Sequence, residues 1–573
     1  MIFESFPPAL ILLTAALLAA ISRPNARTVI LLAAPLLTLW AIWSLPDGVL
    51  MTTRFLGYPI EPLEVSPVRR MFATVFTIMV FAGVLFSFRT AKTAELAAAT
   101  AYASGAVGVS FAGDLITLFI WWEMMAIFST IVIWCGGTEA ARRAGIRYAM
   151  MHILSGVLLK IGIEGVYVHT GSLDVVALQA LNLNIFALQP IDIDIWLLLA
   201  GILINAAAPP FSAWLPDAYP ETSPTGAVFL SAFTTKTAVL GLILLFPGQQ
   251  VLIWVGLYMV FYGIIMALLE NDARRILAYS IINQVGFMVT AIGIGTELAL
   301  NGAALHAFAH IIYKALLLMS AGVVMYRTGL RRCTDLGGLF RTMPVTTICG
   351  IIGALAISSF PLTSGYTTKT MISVAAEHEH LVFVWYMLAA ASAGVFLHAG
   401  IKFPWFVFFQ KDSGLRPKDA PWNMAAAMIF FAFLCVALGV YPDPLYAMLP
   451  NDAVVPVYKP EKVVFYLQLL LFSGLAFFLL LDYMKRTNTI TLDLDWLWRV
   501  AIFNAGNWVF DQATRIRGGM EKAVVGWLKS KEEGLEDLSE RDGFILRATS
   551  ATGLGALYVM ILLTLYVFVY YLE

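Results

Sequence analysis

The sequence predicts an all-α polytopic membrane protein with about 16 transmembrane helices. Hydrophobic residues make up 60% of its 573 residues, charged residues only 13%, and the mean hydropathy is +0.81. These values are typical of chains that cross a bilayer many times. Apolar runs of about 18–25 residues recur along the chain, and each is long enough to span the hydrocarbon core. Basic residues also gather in alternate loops, which indicates a regularly alternating topology.

The candidate spans have approximate bounds 7–22, 27–46, 70–88, 95–112, 114–134, 147–168, 193–211, 225–246, 250–269, 276–295, 301–326, 345–376, 383–409, 421–441, 463–483 and 553–571. Loops after odd-numbered spans are basic, for example at Arg142, Arg143 and Arg147, and only the loop after span 7 departs from this rule. The positive-inside rule therefore places these loops in the cytoplasm and both termini outside. No cleavable signal is predicted, because no basic stretch precedes the first apolar run.

Composition divides the chain into six regions. They are N-terminal scaffold helices (1–94), a first repeat (95–246), a second, inverted repeat (250–409), C-terminal helices (410–486), an amphipathic lateral segment (487–547) and a final span (553–571). Spans 1–3 are almost purely apolar and are predicted to be scaffold. The lateral segment mixes tryptophans with basic residues, so it is predicted to lie along the cytoplasmic membrane surface.

Spans 5 and 6 carry the first intramembrane charges. Glu123 stands in the middle of span 5, directly after two tryptophans. A carboxylate inside a bilayer must be paired or protonated, which favours a functional role over packing. Span 6 contains Lys160 and Glu164 four residues apart, a spacing that allows either a functional or a purely structural pair. His152, nearer the cytoplasmic end of span 6, is interpreted as a packing or interface residue.

Spans 7 and 12 are predicted to be broken helices. Span 7 runs into five prolines between residues 209 and 224, and span 12 is interrupted by Pro361 and Gly365. The freed backbone groups must be satisfied by protein or water, and such discontinuous helices are the usual place for transporter ion sites.

The two breaks stand five spans apart, which predicts an inverted repeat of spans 4–8 against spans 9–13. On that pairing Lys314 of span 11 matches Lys160 of span 6. Lys236 of span 8 matches span 13, where His398 and Lys402 stand four residues apart.

A polar stripe crosses span 11. His306, His310 and Lys314 recur every four residues, so two imidazoles and an ammonium share one helix face. A lysine at mid-bilayer costs about 2.5–3.5 kcal/mol, so it should face protein or water. Burial and neighbouring charges bring lysine and histidine pKa values towards neutrality, which makes the stripe a plausible proton relay. The alternative is packing histidines with a lysine that snorkels to the interface, and the mid-span position of Lys314 disfavours it.

No catalytic constellation, cofactor motif or metal cluster is predicted. The four cysteines are scattered without CxxC spacing, and the loops contain no Gly-rich nucleotide motif and no Ser/His/Asp arrangement. The predicted chemistry is ion movement by a transporter subunit rather than catalysis by the chain itself. The expected contacts are the lipid bilayer, protons and monovalent cations, with no nucleic-acid partner.

Five motifs between spans 4 and 13 resemble a known family: the proton-translocating antiporter-like subunits of Mrp-type sodium/proton antiporters, respiratory complex I and membrane-bound hydrogenases. Within it, the nearest resemblance is to the D-type members of Mrp antiporters. The motifs are Trp122-Glu123, Trp214-Leu-Pro-Asp-Ala-Tyr-Pro220, Asp272-Ala-Arg-Arg-Ile-Leu-Ala-Tyr-Ser280, His306-x3-His310-x3-Lys314 and Pro361-Leu-Thr-Ser-Gly365-Tyr-Thr-Thr-Lys369. In this order they are highly specific.

The resemblance implies a role for each matching residue. Those roles are a charge-modulating carboxylate at Glu123, a central relay at Lys236, a connection to the second half-channel at His306, His310 and Lys314, and a terminal site at Lys369. One position departs from the pattern, because the family's seventh-span lysine falls on Asn205, which does not titrate. Either Lys160 supplies the missing ammonium for Glu123, which is the favoured hypothesis, or this half-channel is inactive and transport is confined to Lys314, Lys369 and Lys402.

The resemblance also implies partners. The lateral segment and last span are similar to a lateral helix that straps adjacent subunits together in some members, so a hetero-oligomeric complex in a prokaryotic cell (inner) membrane is expected. Its function is expected to be antiport of Na⁺, or another monovalent cation, against protons. The alternative is the proton-pumping arm of a complex I-type or hydrogenase redox complex, and an ion-coupled uptake system for inorganic carbon remains a third possibility.

Overall fold

The computed structural model describes residues 6–184, 186–483, 486–488, 492–541 and 559–563. The chain forms two compact units, Met1–Asp495 and Trp496–Glu573. The first unit is built from helices that are mostly long and apolar, and it contains all the candidate site residues.

Nineteen helices of the first unit fall within the described residues. The first ten are α1 (Ala9–Ile21), α2 (Pro24–Ser44), α3 (Pro67–Ser87), α4 (Thr93–Phe111), α5 (Leu115–Trp134), α6 (Glu139–Thr170), α7 (Pro190–Asn205), α8 (Trp214–Ala218), α9 (Gly226–Leu230) and α10 (Thr234–Leu245). The others are α11 (Val251–Leu269), α12 (Ala273–Ile294), α13 (Glu297–Thr328), α14 (Pro344–Ile357), α15 (Ser364–His378), α16 (Val382–Val395), α17 (Trp422–Val440), α18 (Asp443–Tyr446) and α19 (Pro460–Leu479). After α16 the chain continues in two π-helical segments, Phe396–Lys402 and Trp405–Phe409.

The prediction of a polytopic all-α membrane protein is confirmed. Each of the first fifteen predicted spans contains at least one helix, and 11 helices of the described chain are long and apolar enough to cross a membrane. The predicted final span at 553–571 lies outside the described residues except for 559–563, which are helical.

An antiparallel β-hairpin between α2 and α3 was not predicted. Strands β1 (Gly48–Phe55) and β2 (Tyr58–Val65) pair across a two-residue turn in which Leu56 and Gly57 have φ of +48° and +91°. Glycine adopts this left-handed conformation readily, and two such residues in succession match the twist of a hairpin. The region 1–94, which was predicted to contain only helices, therefore also contains a hairpin. A search for long apolar runs passes over strands this short and polar.

Helices α4–α6 and α11–α13 form two matching sets. Each helix of the second set begins 158 residues after its counterpart: residue 251 after 93, residue 273 after 115, and residue 297 after 139. Helices α6 and α13 both contain 32 residues, begin after a threonine cap and end at a left-handed glycine. Equal lengths, caps and spacing indicate an internal repeat.

This register corrects one predicted correspondence. A shift of 158 residues places Lys314 opposite Gly156 and His310 opposite His152, whereas Lys160 falls opposite Leu318. The predicted match of Lys314 with Lys160 is therefore wrong by one helical turn. The two helices are aligned by their caps, and the lysines stand at different distances from them.

The two predicted helix breaks have the same local geometry. Helix α7 ends at Asn205, and two residues later Ala207 has φ of +61°. Helix α14 ends at Ile357, and two residues later Ser359 has φ of +60°. In each case the next amide donates back to a carbonyl five residues earlier, at 2.9 Å in the first break and 3.1 Å in the second. Both helices thus end in a tight left-handed closure that leaves the following residues non-helical.

The second unit contains a π-helical segment, Leu497–Ile502, followed by the 39-residue helix α20 (Phe503–Arg541). Both elements fall within the predicted lateral segment, 487–547. Its large apolar side chains are exposed in this chain, among them Trp508, Phe510 and Trp527.

Candidate functional site

The centre of the first unit holds an unusual concentration of basic side chains, each no more than 2% exposed. They are Lys236, Lys314, Lys369, Lys402, His306, His310 and His398. Within the described part of the chain, none of the four lysines forms an ion pair with a carboxylate. Each donates instead to backbone carbonyls, which carry only partial charges and therefore hold an ammonium more weakly than a carboxylate does.

Lys236 lies at a helix interruption that sequence reasoning did not predict. Span 8 is divided into α9 and α10, and the chain leaves α-helical geometry between them. The Lys236 ammonium donates to the Ser231 carbonyl at 2.6 Å and to the Thr235 hydroxyl at 3.0 Å. A carbonyl freed by the interruption thus becomes the acceptor for a buried lysine.

Helix α13 carries the predicted stripe through the centre of the unit. The His306 Nδ1 atom lies 2.9 Å from the Thr368 hydroxyl, and the rings of His306 and His310 stack with centroids 6.2 Å apart. Both ring nitrogens of His310 lack a hydrogen-bond partner among the described residues. One turn further, Lys314 donates to the Leu277 carbonyl of α12 at 3.0 Å.

Lys369 is held at the second helix break. Its ammonium donates to the carbonyl of Ile357, the last residue of α14, at 2.6 Å, and lies 4.9 Å from the centre of the Phe287 ring. The C-terminal end of a helix carries partial negative charge, which favours a cation there. In a continuous helix, the Ile357 carbonyl would accept an intrahelical hydrogen bond. The break leaves this carbonyl free to accept from the Lys369 ammonium.

These groups form one electrostatic unit. His310 interacts with the charges of Lys236, Lys314 and Lys369, and His306 interacts with those of Lys236 and Lys369. The predicted relay residues of spans 8, 11 and 12 are therefore brought together around the unpartnered ring of His310.

Lys402 has a different environment. Its ammonium donates to the carbonyls of Ala267, Leu268 and Glu270 at 3.2, 2.5 and 2.6 Å. These three carbonyls end α11 and match the three donors of an ammonium. The contacts are those of a residue that caps a helix end, although the sequence predicts a part in translocation for Lys402.

Glu123 lies against a notch in α6. A Cβ atom added to Gly156 would overlap the Glu123 Oε1 atom, so the carboxylate rests directly against the backbone of α6 at this glycine. That oxygen is buried and has no hydrogen-bond partner among the described residues. Burying a carboxylate oxygen without a hydrogen-bond partner costs free energy. This oxygen therefore readily accepts a proton or a hydrogen bond from water.

Lys160 does not supply the predicted partner for Glu123. It forms an ion pair with Glu164 on its own helix, and both side chains are more than one-third exposed. Tyr58 of the hairpin also donates to Glu164, at 3.1 Å, and this hydrogen bond raises the pKa of Tyr58. The i,i+4 spacing and the approach of the hairpin fix Lys160 in a structural cluster, so the predicted Lys160–Glu123 pairing is wrong.

We expect Glu123→Gln to lower the rate of ion transport by about tenfold or more, because it removes a proton-binding group from a buried position. Lys160→Ala should change the rate by less than about twofold, since an exposed ion pair contributes little. Transport by vesicles that contain equal amounts of assembled complex measures both. Equal losses in the two variants would contradict the separation of these residues.

Asn205 occupies the end of α7, where the resemblance implies a lysine. Its side-chain amide donates to the Ser155 hydroxyl and, at 3.3 Å, to the Gly201 carbonyl. Its Oδ1 atom has no partner among the described residues. Asn205 therefore contributes a polar but non-titrating group to the space between α6 and α7.

Comparison with known proteins shows which family the chain resembles. Residues 112–396, about half of the chain, match the family model described as "NADH:quinone oxidoreductase/Mrp antiporter, TM". The chain is 27% identical over 416 residues to the D component of a Na(+)/H(+) antiporter from Alkalihalophilus pseudofirmus, covering 69% of this chain and 84% of that protein. It is 32% identical over 277 residues to the N component of an NADH-quinone oxidoreductase from Desulforudis audaxviator, covering 46% of this chain and 55% of that one.

One chain in the structure of the Mrp complex from Dietzia sp. DQ12-45-1b shares the fold, with a TM-score of 0.68 and 21% identity over 82% of this chain and all of that one. The region that matches the family model contains the broken helices and every buried lysine of the central unit except Lys402. The chain belongs to the NADH:quinone oxidoreductase/Mrp antiporter family of transmembrane subunits.

Proposed function

We propose that this chain is a membrane subunit of a multi-subunit antiporter that exchanges a monovalent cation, Na⁺ in the first instance, for protons. The observation that carries the proposal is the buried set of Lys236, His306, His310, Lys314 and Lys369, whose lysines are held by backbone carbonyls without a carboxylate. Groups held this weakly gain and lose protons at little cost to the fold. The similarity to a Na(+)/H(+) antiporter component supports the cation.

In this mechanism a proton moves along the polar centre by exchange between neighbouring bases. The ring of His310 accepts a proton at one nitrogen and releases one from the other, since both lack partners among the described residues. A proton taken up at Lys314 raises the local positive charge, which favours release of a proton from Lys369. Membrane potential contributes about 2.3 kcal/mol per charge per 100 mV to the coupled movement.

The proposal is tested by reconstituting the purified complex into proteoliposomes that contain a pH-sensitive dye. An imposed Na⁺ gradient should drive proton movement in the opposite direction, and K⁺ or Li⁺ gradients establish which cation is preferred. Proton movement that ignores every cation gradient would contradict antiport.

The similarity to an NADH-quinone oxidoreductase component favours a second candidate, the proton-pumping arm of a redox complex. The buried set of lysines and histidines suits both functions equally, because neither function requires a cofactor on this chain. Co-purifying proteins separate the two. Iron–sulfur or flavin subunits, with proton movement driven by a reductant, would support the redox complex, whereas small membrane proteins alone would support the antiporter.

We also propose that loops after odd-numbered spans face the cytoplasm of a prokaryotic cell and that both termini face outward. The basic loop residues support this orientation. The large, exposed apolar side chains of α20 support a role as a strap that packs against neighbouring subunits.

Deletion of residues 496–573 should therefore release partner subunits while the core of the chain remains folded, because the first unit has its own apolar core. Native electrophoresis of the solubilised complex measures the loss. A second truncation that removes only 542–573 keeps α20 and separates its role from that of the last span. A complex that stays together without α20 would contradict the strap.

A further inference from the structure

Three helices around the first half of the unit present buried polar atoms that have no partner among the described residues. They are Oε1 of Glu123 on α5, Nε2 of His152 on α6 and Oδ1 of Asn205 at the end of α7. A proton or a water molecule would stabilise the Glu123 and His152 atoms, and a water molecule would stabilise the amide oxygen of Asn205. An unpartnered acid and an unpartnered base on adjacent helices indicate a site of exchange.

His152 is a buried residue, which agrees with packing, one of the two roles predicted from its sequence position. It is 3% exposed, and its ring lies 4.1 Å from the Tyr148 ring and 4.8 Å from the Trp214 ring, measured between centroids. The Asn205 side chain lies beside the same imidazole. Two aromatic rings hold the histidine in place, and the asparagine adds a polar group that does not compete for its proton.

The internal repeat supplies independent support. Helices α6 and α13 have the same length and the same caps, and residue 152 of α6 corresponds to residue 310 of α13. His152 is therefore the counterpart of His310, and both are buried with an unpartnered ring nitrogen among the described residues. The repeat brings an exchangeable imidazole into each half of the unit.

Helix geometry places Glu123 beside this imidazole. His152, Gly156 and Lys160 follow each other on one stripe of α6, and the Glu123 carboxylate sits in the notch at Gly156. One helical turn, about 5.4 Å, therefore separates the level of the carboxylate from that of His152. Along the helix axis, this separation is within the span of one bridging water molecule. Lys160 stands one turn away in the opposite direction but is committed to Glu164.

We propose that His152 is the base that exchanges a proton with Glu123 in the first half of the unit, between α5 and α6. The O–H bond of the Glu123 carboxylic acid breaks as an N–H bond forms on the His152 ring through one bridging water. A carboxylate and an imidazolium result, and the reverse step restores the neutral pair. The groups that contact His152 are Tyr148 on its own helix, Asn205 from α7 and Trp214 from α8. None of these is a carboxylic acid, and the Glu123 carboxylate of α5 lies one turn further along α6, at Gly156.

The inference rests on the proposed function and is tested with the intact complex in proteoliposomes. His152→Gln keeps the size and polarity of the ring but cannot carry a proton, so cation-coupled proton movement should fall by about tenfold or more. His169→Gln is the matched control, because His169 is a partly exposed histidine on the same helix, paired with Asp194. Its rate should stay within about twofold of the unsubstituted complex, since exposed pairs contribute little.

A second variant gives a readout that packing alone would not move. His152→Lys retains a titrating group of higher ordinary pKa, so the pH–rate profile should keep its shape and move by about one pH unit or more to the alkaline side. If the glutamine variant does not assemble, the pH–rate profile of His152→Lys is sufficient by itself to test the proposal. An unmoved profile, or His152→Gln at the unsubstituted rate, would overturn the inference.

Failure of the proposed function gives a different result. If the unsubstituted complex shows no proton movement under any cation gradient, both proposals are overturned. If it transports, and Lys314→Ala stops transport while His152→Gln does not, the assignment of His152 alone is wrong.

Discussion

Lys314→Ala is expected to lower cation-coupled proton transport by about 100-fold, which is the effect of removing a positioned proton-transfer group. The ammonium is fully buried and donates to the Leu277 carbonyl, and it acts electrostatically on His310. Alanine removes the titrating atom at this point and leaves the helix backbone unchanged. Dye-based transport in proteoliposomes, normalised to assembled complex, measures the loss.

Two further variants separate titration from charge. Lys314→Arg retains a positive charge that does not dissociate near neutral pH, so it should be as inactive as alanine if the lysine must release a proton. Lys462→Ala is the control, because that lysine pairs with Glu377 near the surface of α19 and should transport normally. Transport by Lys314→Arg at the original rate would show that charge alone suffices and would contradict the relay.

Gly365→Ala is expected to abolish transport through the backbone rather than through a titrating group. A Cβ atom at this position would overlap the Ala356 carbonyl oxygen, and backbone atoms cannot move aside as a flexible side chain can. The two halves of the broken helix, α14 and α15, must then separate. We expect a loss of about 3 kcal/mol in stability and the loss of the contact between Lys369 and the Ile357 carbonyl.

The thermal midpoint of the assembled complex and the transport rate measure this effect together. Gly474→Ala on α19 is the matched control, because its Cβ atom would meet nothing closer than a ring carbon of Phe396 at 3.4 Å. It should leave both quantities unchanged. A stable, active Gly365→Ala complex would mean that the halves of the broken helix are not held as closely as the structure has them.

Hydropathy and proline placement were sufficient to predict the main features of the fold. Fifteen spans, two broken helices and the stripe of His306, His310 and Lys314 follow from local properties: apolar length, missing amide donors and a four-residue period. The β-hairpin and the interruption between α9 and α10 were not predicted. The hairpin has no long apolar run, and the interruption lies inside such a run without a proline to mark it.

The sequence by itself determined which residues are titratable inside the membrane, because a charge within an apolar run is visible without a structure. Only the tertiary structure decided the partners of each of them. Lys160 turned to Glu164, Lys402 capped α11, and His152 and Glu123 were both left with unpartnered atoms among the described residues. The physical reason is that the partner of a buried side chain depends on the rotation and depth of neighbouring helices. Helix caps and close glycine contacts set these quantities, and linear spacing does not record them.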